Sequence, residues 1–142
     1  MNTVNLAPPP RRSVSASQTQ WVKDTRGLVG QVRQWAALPG WSASVEDVTL
    51  TENGVGVYSV PVLTIQTPAG RLTVQPIALR TPEYDGRVDI SGYPSLARMT
   101  LLRDIGGPQP VWRVRTSDDV DWPLPWGQET FYQIAQGLLR LP

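Results

Sequence analysis

Residues 45–66 read VEDVTLTENGVGVYSVPVLTIQ, and the rhythm of this stretch decides the fold. Val48 and Leu50 alternate with polar neighbours, as in a strand with one buried face. Asn53-Gly54 follows, the pair that tight hairpin turns favour because both residues tolerate positive φ. Val55 and Val57 carry the two-residue period into a second strand before a slip near Pro61, and Leu63 and Ile65 follow it. Pro61 sits at the slip and predicts a bulge or an edge position, since proline has no N–H to give to a ladder.

Downstream the pattern repeats. Thr67-Pro68-Ala69-Gly70 reads as a turn. A third strand spans Arg71 to Arg80, with Leu72 and Val74 in phase and a second slip at Pro76; prolines at matching points of paired strands are expected to bend both. After a loop from Thr81 to Asp85, residues 86–91 form a short strand with Val88 and Ile90 on one face and Arg87 and Asp89 on the other. Gly92-Tyr93-Pro94-Ser95 turns the chain. Ala97 to Arg103 is a fifth strand, and Val111 to Thr116 a sixth, with Trp112 and Val114 inward and Arg113 and Arg115 outward.

Helical periods flank this region. Ser17 is a candidate N-cap, with Gln20 three residues on as in a capping box. Trp21, Leu28, Val32 and Trp35 follow on one stripe, interrupted by Gly27 and Gly30, and Pro39-Gly40 stops the helix. Phe131, Ile134, Ala135, Leu138 and Leu141 define a second stripe, closed by Pro142. Residues 1–16, with Pro8-Pro9-Pro10 and Arg11-Arg12, hold too little apolar area to offset ordering entropy and read as a mobile arm. The expectation is one α+β domain over 17–142: an N-terminal helix, an antiparallel β-meander of about six strands and a C-terminal helix. Both helices should cover one sheet face and leave the other open. That order occurs in many small bacterial domains of unrelated function, so it assigns no role.

Composition excludes several chemistries. Among 142 residues there is no cysteine and no histidine, which removes disulfides, thiolate nucleophiles, the usual zinc ligands and the side chain that titrates nearest neutrality. No serine has a histidine base, and the one lysine, Lys23, lies on a helix stripe. Phosphate-binding glycine loops are absent, and Gly106-Gly107-Pro108 is a turn between strands. Glu83, Asp85 and Asp89 invite comparison with the PD-(D/E)xK nuclease superfamily, but residues 83–89 contain no lysine to complete its motif. Asp118, Asp119 and Asp121 lack the glycine turn and bidentate glutamate of a calcium loop. No apolar run reaches membrane-span length, and no apolar stretch follows Arg11-Arg12 as an export signal requires, so a cytoplasmic location is expected. Neither a metal nor another cofactor is expected.

What remains is a polar sheet face. A four-residue turn at 92–95 would set Asp89 opposite Arg98, with Arg113 and Arg115 on the next strand and Arg87 beside them. Trp122 and Trp126, spaced by prolines, add either core packing or an apolar knob for a partner. The reading is a non-enzymatic protein-interaction module, whether adaptor, small assembly subunit or immunity- or chaperone-type binder. It would use Arg87, Asp89, Arg98, Arg113, Arg115, Trp122, Trp126 and the N-terminal arm. The alternatives are a nucleic-acid-binding accessory protein using the same arginines, disfavoured by a net charge of +1, and a metal-dependent hydrolase using Glu83, Asp85 and Asp89.

Overall fold

The computed structural model describes residues 9–139, with side chains from residue 16 onward. Helix α1 (Pro9–Ala37) leads into six strands, β1 (Ser42–Glu52), β2 (Gly56–Thr67), β3 (Gly70–Ala78), β4 (Arg87–Tyr93), β5 (Arg98–Asp104) and β6 (Val111–Thr116), and helix α2 (Gln128–Leu139) ends the domain. The strands form one antiparallel sheet in the order β1-β2-β3-β4-β5-β6, the expected meander. No helix among the described residues is long and apolar enough to cross a membrane.

The start of α1 corrects the sequence reading. Ser17 lies inside the helix rather than at its N-cap, and the Gln20 amide donates forward to Asp24 at 2.8 Å instead of back to a cap. Pro9 and Pro10 stand in the first turn, where a missing N–H costs nothing, and each further residue adds a backbone bond at little cost. Residues 1–8 of the expected arm, Pro8 included, lie outside the described residues, as do Leu141 and Pro142. The other end stops as expected. Gly40 takes φ +83°, its N–H donates to Ala37 at 3.0 Å and that of Trp41 to Ala36 at 3.1 Å, the paired bonds of a Schellman cap.

Both helices lie on one face. α1 crosses β1 and β2, α2 crosses β3 and β4, and the two meet through Trp35 and Phe131, 6.0 Å apart. Trp21, Leu28, Val29, Val32 and Ala36 of α1 close over Leu63, Ile65, Leu72, Val74, Val88, Ile90 and Leu101 of the sheet. Gly27 and Gly30 face solvent, with nothing within 4 Å of a built Cβ, so they serve no close approach. Gly30→Ala is therefore expected to raise stability by about 0.5–1 kcal/mol, read as a higher urea midpoint at unchanged slope.

The prolines act through register. β1 and β2 pair without a shift from Ser42–Gln66 to Glu52–Gly56, while the β2–β3 ladder ends at Leu63–Val74. Continuing that register would set Pro61 opposite Pro76, two residues with no N–H to offer, so the ladder stops there. Beyond it the β1–β2 hairpin peels away from β3. Glu52 fills the gap, accepting the backbone N–H groups of Leu79 and Arg80 at 3.0 and 2.7 Å and the Tyr58 hydroxyl at 2.6 Å.

Burial first, and then that bond to Glu52, push the Tyr58 phenol up to about 12 from its ordinary 10.0. Because the folded value lies above the unfolded one, its contribution to stability is fully present below pH 10.0 and is lost as pH rises through about 12. Alkaline absorbance titration is expected to show one of the four tyrosines ionising last, a step that Tyr58→Phe removes. Four tyrosines ionising together near 10.0 would contradict this.

Candidate functional site

On the face opposite the helices, strict alternation sets Arg87, Asp89 and Ser91 of β4 beside Arg98, Thr100 and Leu102 of β5, and these beside Arg113 and Arg115 of β6. The segment 78–85 rises on one side and the turn 116–121 on the other. Between them lies a basin of about 650 Å³, whose floor includes Thr100 and Leu102, both nearly buried. The face expected to be open is thus a walled depression.

Ion pairs set its interior. Arg87 grips Asp89 with both arms of its fork, Nε to Oδ1 at 2.9 Å and Nη2 to Oδ2 at 3.0 Å. The Thr100 hydroxyl donates to the same carboxylate at 3.3 Å. Arg115 donates through Nη1 to Glu83 at 2.9 Å and through Nε to Asp121 at 3.0 Å, with its guanidinium 5.6 Å from the Tyr84 ring centre. Asp89 raises the pKa of Arg87 and Glu83 that of Arg115, in each case chiefly through the hydrogen bond, so both remain charged at any working pH. Most members of these pairs are partly solvated, so each pair has modest energetic worth, and its effect here is to hold an arginine in place.

The register corrects the expected ladder. Asp89 stands opposite Thr100, and Arg98 stands opposite Ser91. Six residues, 92–97, separate the paired Ser91 and Arg98, rather than the expected four, because the chain loops back at Leu96 with φ +63° while the N–H of Gly92 donates to Ala97 at 2.9 Å. Asp89 is thereby left to Arg87, and the Arg98 side chain forms neither a hydrogen bond nor an ion pair with any described residue. Arg113 also leaves the group: its fork reaches Asp104 at 3.1 and 3.2 Å, and it does not line the basin. The N–H of Gly106, followed by Arg113, holds the Asp104 carboxyl below its ordinary range.

Trp122 and Trp126 belong to the other side of the molecule. The N–H of Trp122 donates to Val114 at 2.9 Å and Asp121 bridges to Arg115, so residues 120–122 run along the free edge of β6 and turn both indoles toward α1. Trp126 packs 5.5 Å from Trp35 and 6.3 Å from Phe131, and its Nε1 donates to Gln31 at 3.3 Å. These tryptophans brace the helix layer and stand apart from Arg87, Arg98 and Arg115, although Arg113 lines the same cleft as they do.

The three acids of the hydrolase alternative are spoken for separately. Glu83 holds Arg115, Asp89 holds Arg87, and Asp85 contributes its backbone, with its carbonyl accepting Arg103 Nε at 2.7 Å. Among the described residues no three carboxylates converge as metal ligands. Sequence reasoning missed Arg80, Tyr84 and Ser117, which line the basin from its two walls. All three sit outside the alternating strands, where no periodicity marks a facing direction. Comparison with family models, curated proteins and solved structures finds no match for this chain.

Proposed function

We propose that the chain is a non-catalytic protein-interaction module that docks a partner over the helix-free face. The observation that supports this reading is the basin itself: a pre-shaped polar depression in which Arg87 and Arg115 are held by neighbouring carboxylates, so a partner meets a surface already partly ordered. The groups there suit recognition. They comprise guanidinium forks, carboxylates, hydroxyls and one tyrosine. Nucleic acid suits the same face less well, because Glu83, Asp119 and Asp121 line it and would repel a phosphate backbone.

A photo-crosslinking residue placed at Ser117 on the basin wall, with one at Arg33 on the solvent side of α1 as control, tests the proposal in native extract. The expected result is a discrete crosslinked species from position 117 and none from 33, with the untreated chain migrating above its own 15.7 kDa on a sizing column. A chain that migrates alone and crosslinks to nothing at 117 would end it.

A further inference from the structure

We propose that the basin receives a single carboxylate from an acidic segment of its partner protein, with Arg98 as the receiving fork. This rests on the interaction-module reading and adds the chemistry of what is bound. Four arginines line the basin, and their partners differ. Arg87 is taken by Asp89, and Arg115 by Glu83 and Asp121. The Arg80 guanidinium has no carboxylate among the described residues and reaches only the Gly54 carbonyl, at 3.4 Å. Arg98 has no such partner at all. It is the first residue of β5 and exposed, and it projects from a rigid strand onto the face where Arg87 already shows the two-pronged grip a guanidinium gives a carboxylate.

The charge around it selects the size of the anion. Glu83, Asp119 and Asp121 line the same basin, so a polyanion entering it would meet more carboxylates than free guanidinium groups, which are those of Arg80 and Arg98. One carboxylate placed at Arg98 needs only that fork, with the Ser117 hydroxyl and the Arg80 guanidinium as further donors on the walls. Arginine rather than lysine suits the task, because its planar donors match both oxygens at once. Asp89 sits two residues along β4 from Ser91, Arg98's neighbour across the ladder, and is occupied by Arg87 and Thr100. Among the described residues no acid closes the fork.

The test is calorimetric titration of the full chain at low salt with a capped glycine pentapeptide carrying one central glutamate, alongside oligothymidylate and inorganic phosphate, followed by NMR of the arginine Nε–H resonances. The glutamate peptide is expected to bind and to shift Arg98, with Arg98→Gln weakening it at least tenfold and Arg33→Gln changing it less than twofold. Arg98 is exposed, so the variant keeps its fold, which circular dichroism verifies. Undetectable binding of the glutamate peptide, equal binding by Arg98→Gln, or tighter binding of oligothymidylate or phosphate than of the glutamate peptide overturns the proposal. If Arg98→Gln leaves binding of the glutamate peptide unchanged while crosslinking at position 117 persists, the carboxylate receptor fails and the interaction module stands. A chain that migrates alone in extract fails the module reading instead.

Discussion

Gly86→Ala is expected to cost about 3–5 kcal/mol, combining the penalties for overpacking a core and for a backbone conformation that L side chains rarely adopt. Gly86 is buried just before β4 with φ +145°, and a Cβ built there would lie 2.2 Å from Trp21 Cζ3, 2.7 Å from Cε3 and 2.8 Å from Cη2. The indole has little room to yield. Trp21 is fully buried, with Trp112 6.2 Å away and the Arg103 guanidinium 5.0 Å from its ring centre. Backbone bonds tie the glycine down as well, since its carbonyl accepts the N–H of Arg103 at 2.8 Å. A loss of this size is a large share of the stability of a small domain. Urea denaturation measures it, with Gly30→Ala as the solvent-side comparison. Trimming the indole in a Gly86→Ala/Trp21→Leu pair should yield a total below the sum of the single losses, because the steric part is shared and the backbone part is not. An unchanged midpoint for Gly86→Ala would mean that Trp21 does not pack where it is placed.

The meander was readable because its evidence is local. Alternation at Val88–Ile90 and Trp112–Val114 states a face, and Asn53-Gly54 and Pro68-Ala69 state where the chain reverses. The same alternation put Arg87, Asp89, Arg98, Arg113 and Arg115 on the correct side of the sheet. It could not pair them. An error of two residues in a connection preserves every face and changes every cross-strand partner, and that is what separated Asp89 from Arg98. The cause lies at Leu96, a leucine at φ +63°, a backbone region in which residue type gives no warning for leucine. The basin walls were unreadable for a related reason: Arg80, Tyr84 and Ser117 are placed by loops that answer to contacts far off in sequence, such as Glu52 with the N–H of Arg80. Trp126 follows the same logic, because its partners Trp35 and Gln31 come from the opposite end of the chain. Arg103, by contrast, was within reach. It shares a face with Met99 and Leu101, so alternation alone sets a guanidinium under the helices.

That buried arginine gives the second large effect. Arg103 and Asp24 have side chains only 2% and 9% exposed, with Nη1 and Oδ2 2.7 Å apart, and Arg103 Nε donates to the Asp85 carbonyl at 2.7 Å. The pair joins α1 to β5 and to the loop before β4 at a point where water has little access. Removing one member leaves the other charged and buried, so Arg103→Met and Asp24→Asn are each expected to cost about 3–5 kcal/mol. Arg103→Met/Asp24→Asn together should cost clearly less than the sum, since no uncompensated charge is then left beneath α1. Salt separates this from a surface effect: the loss should persist at high ionic strength, whereas the exposed Arg26–Asp47 contact at 3.5 Å should contribute under about 1 kcal/mol and vanish in salt. Amide hydrogen exchange locates the consequence. Breaking the pair should release residues 21–29 of α1 and 84–86 ahead of the β1–β2 ladder, which does not touch it. Single losses under about 1 kcal/mol would show that Arg103 is solvated in solution and that α1 is held over β5 by apolar contact alone.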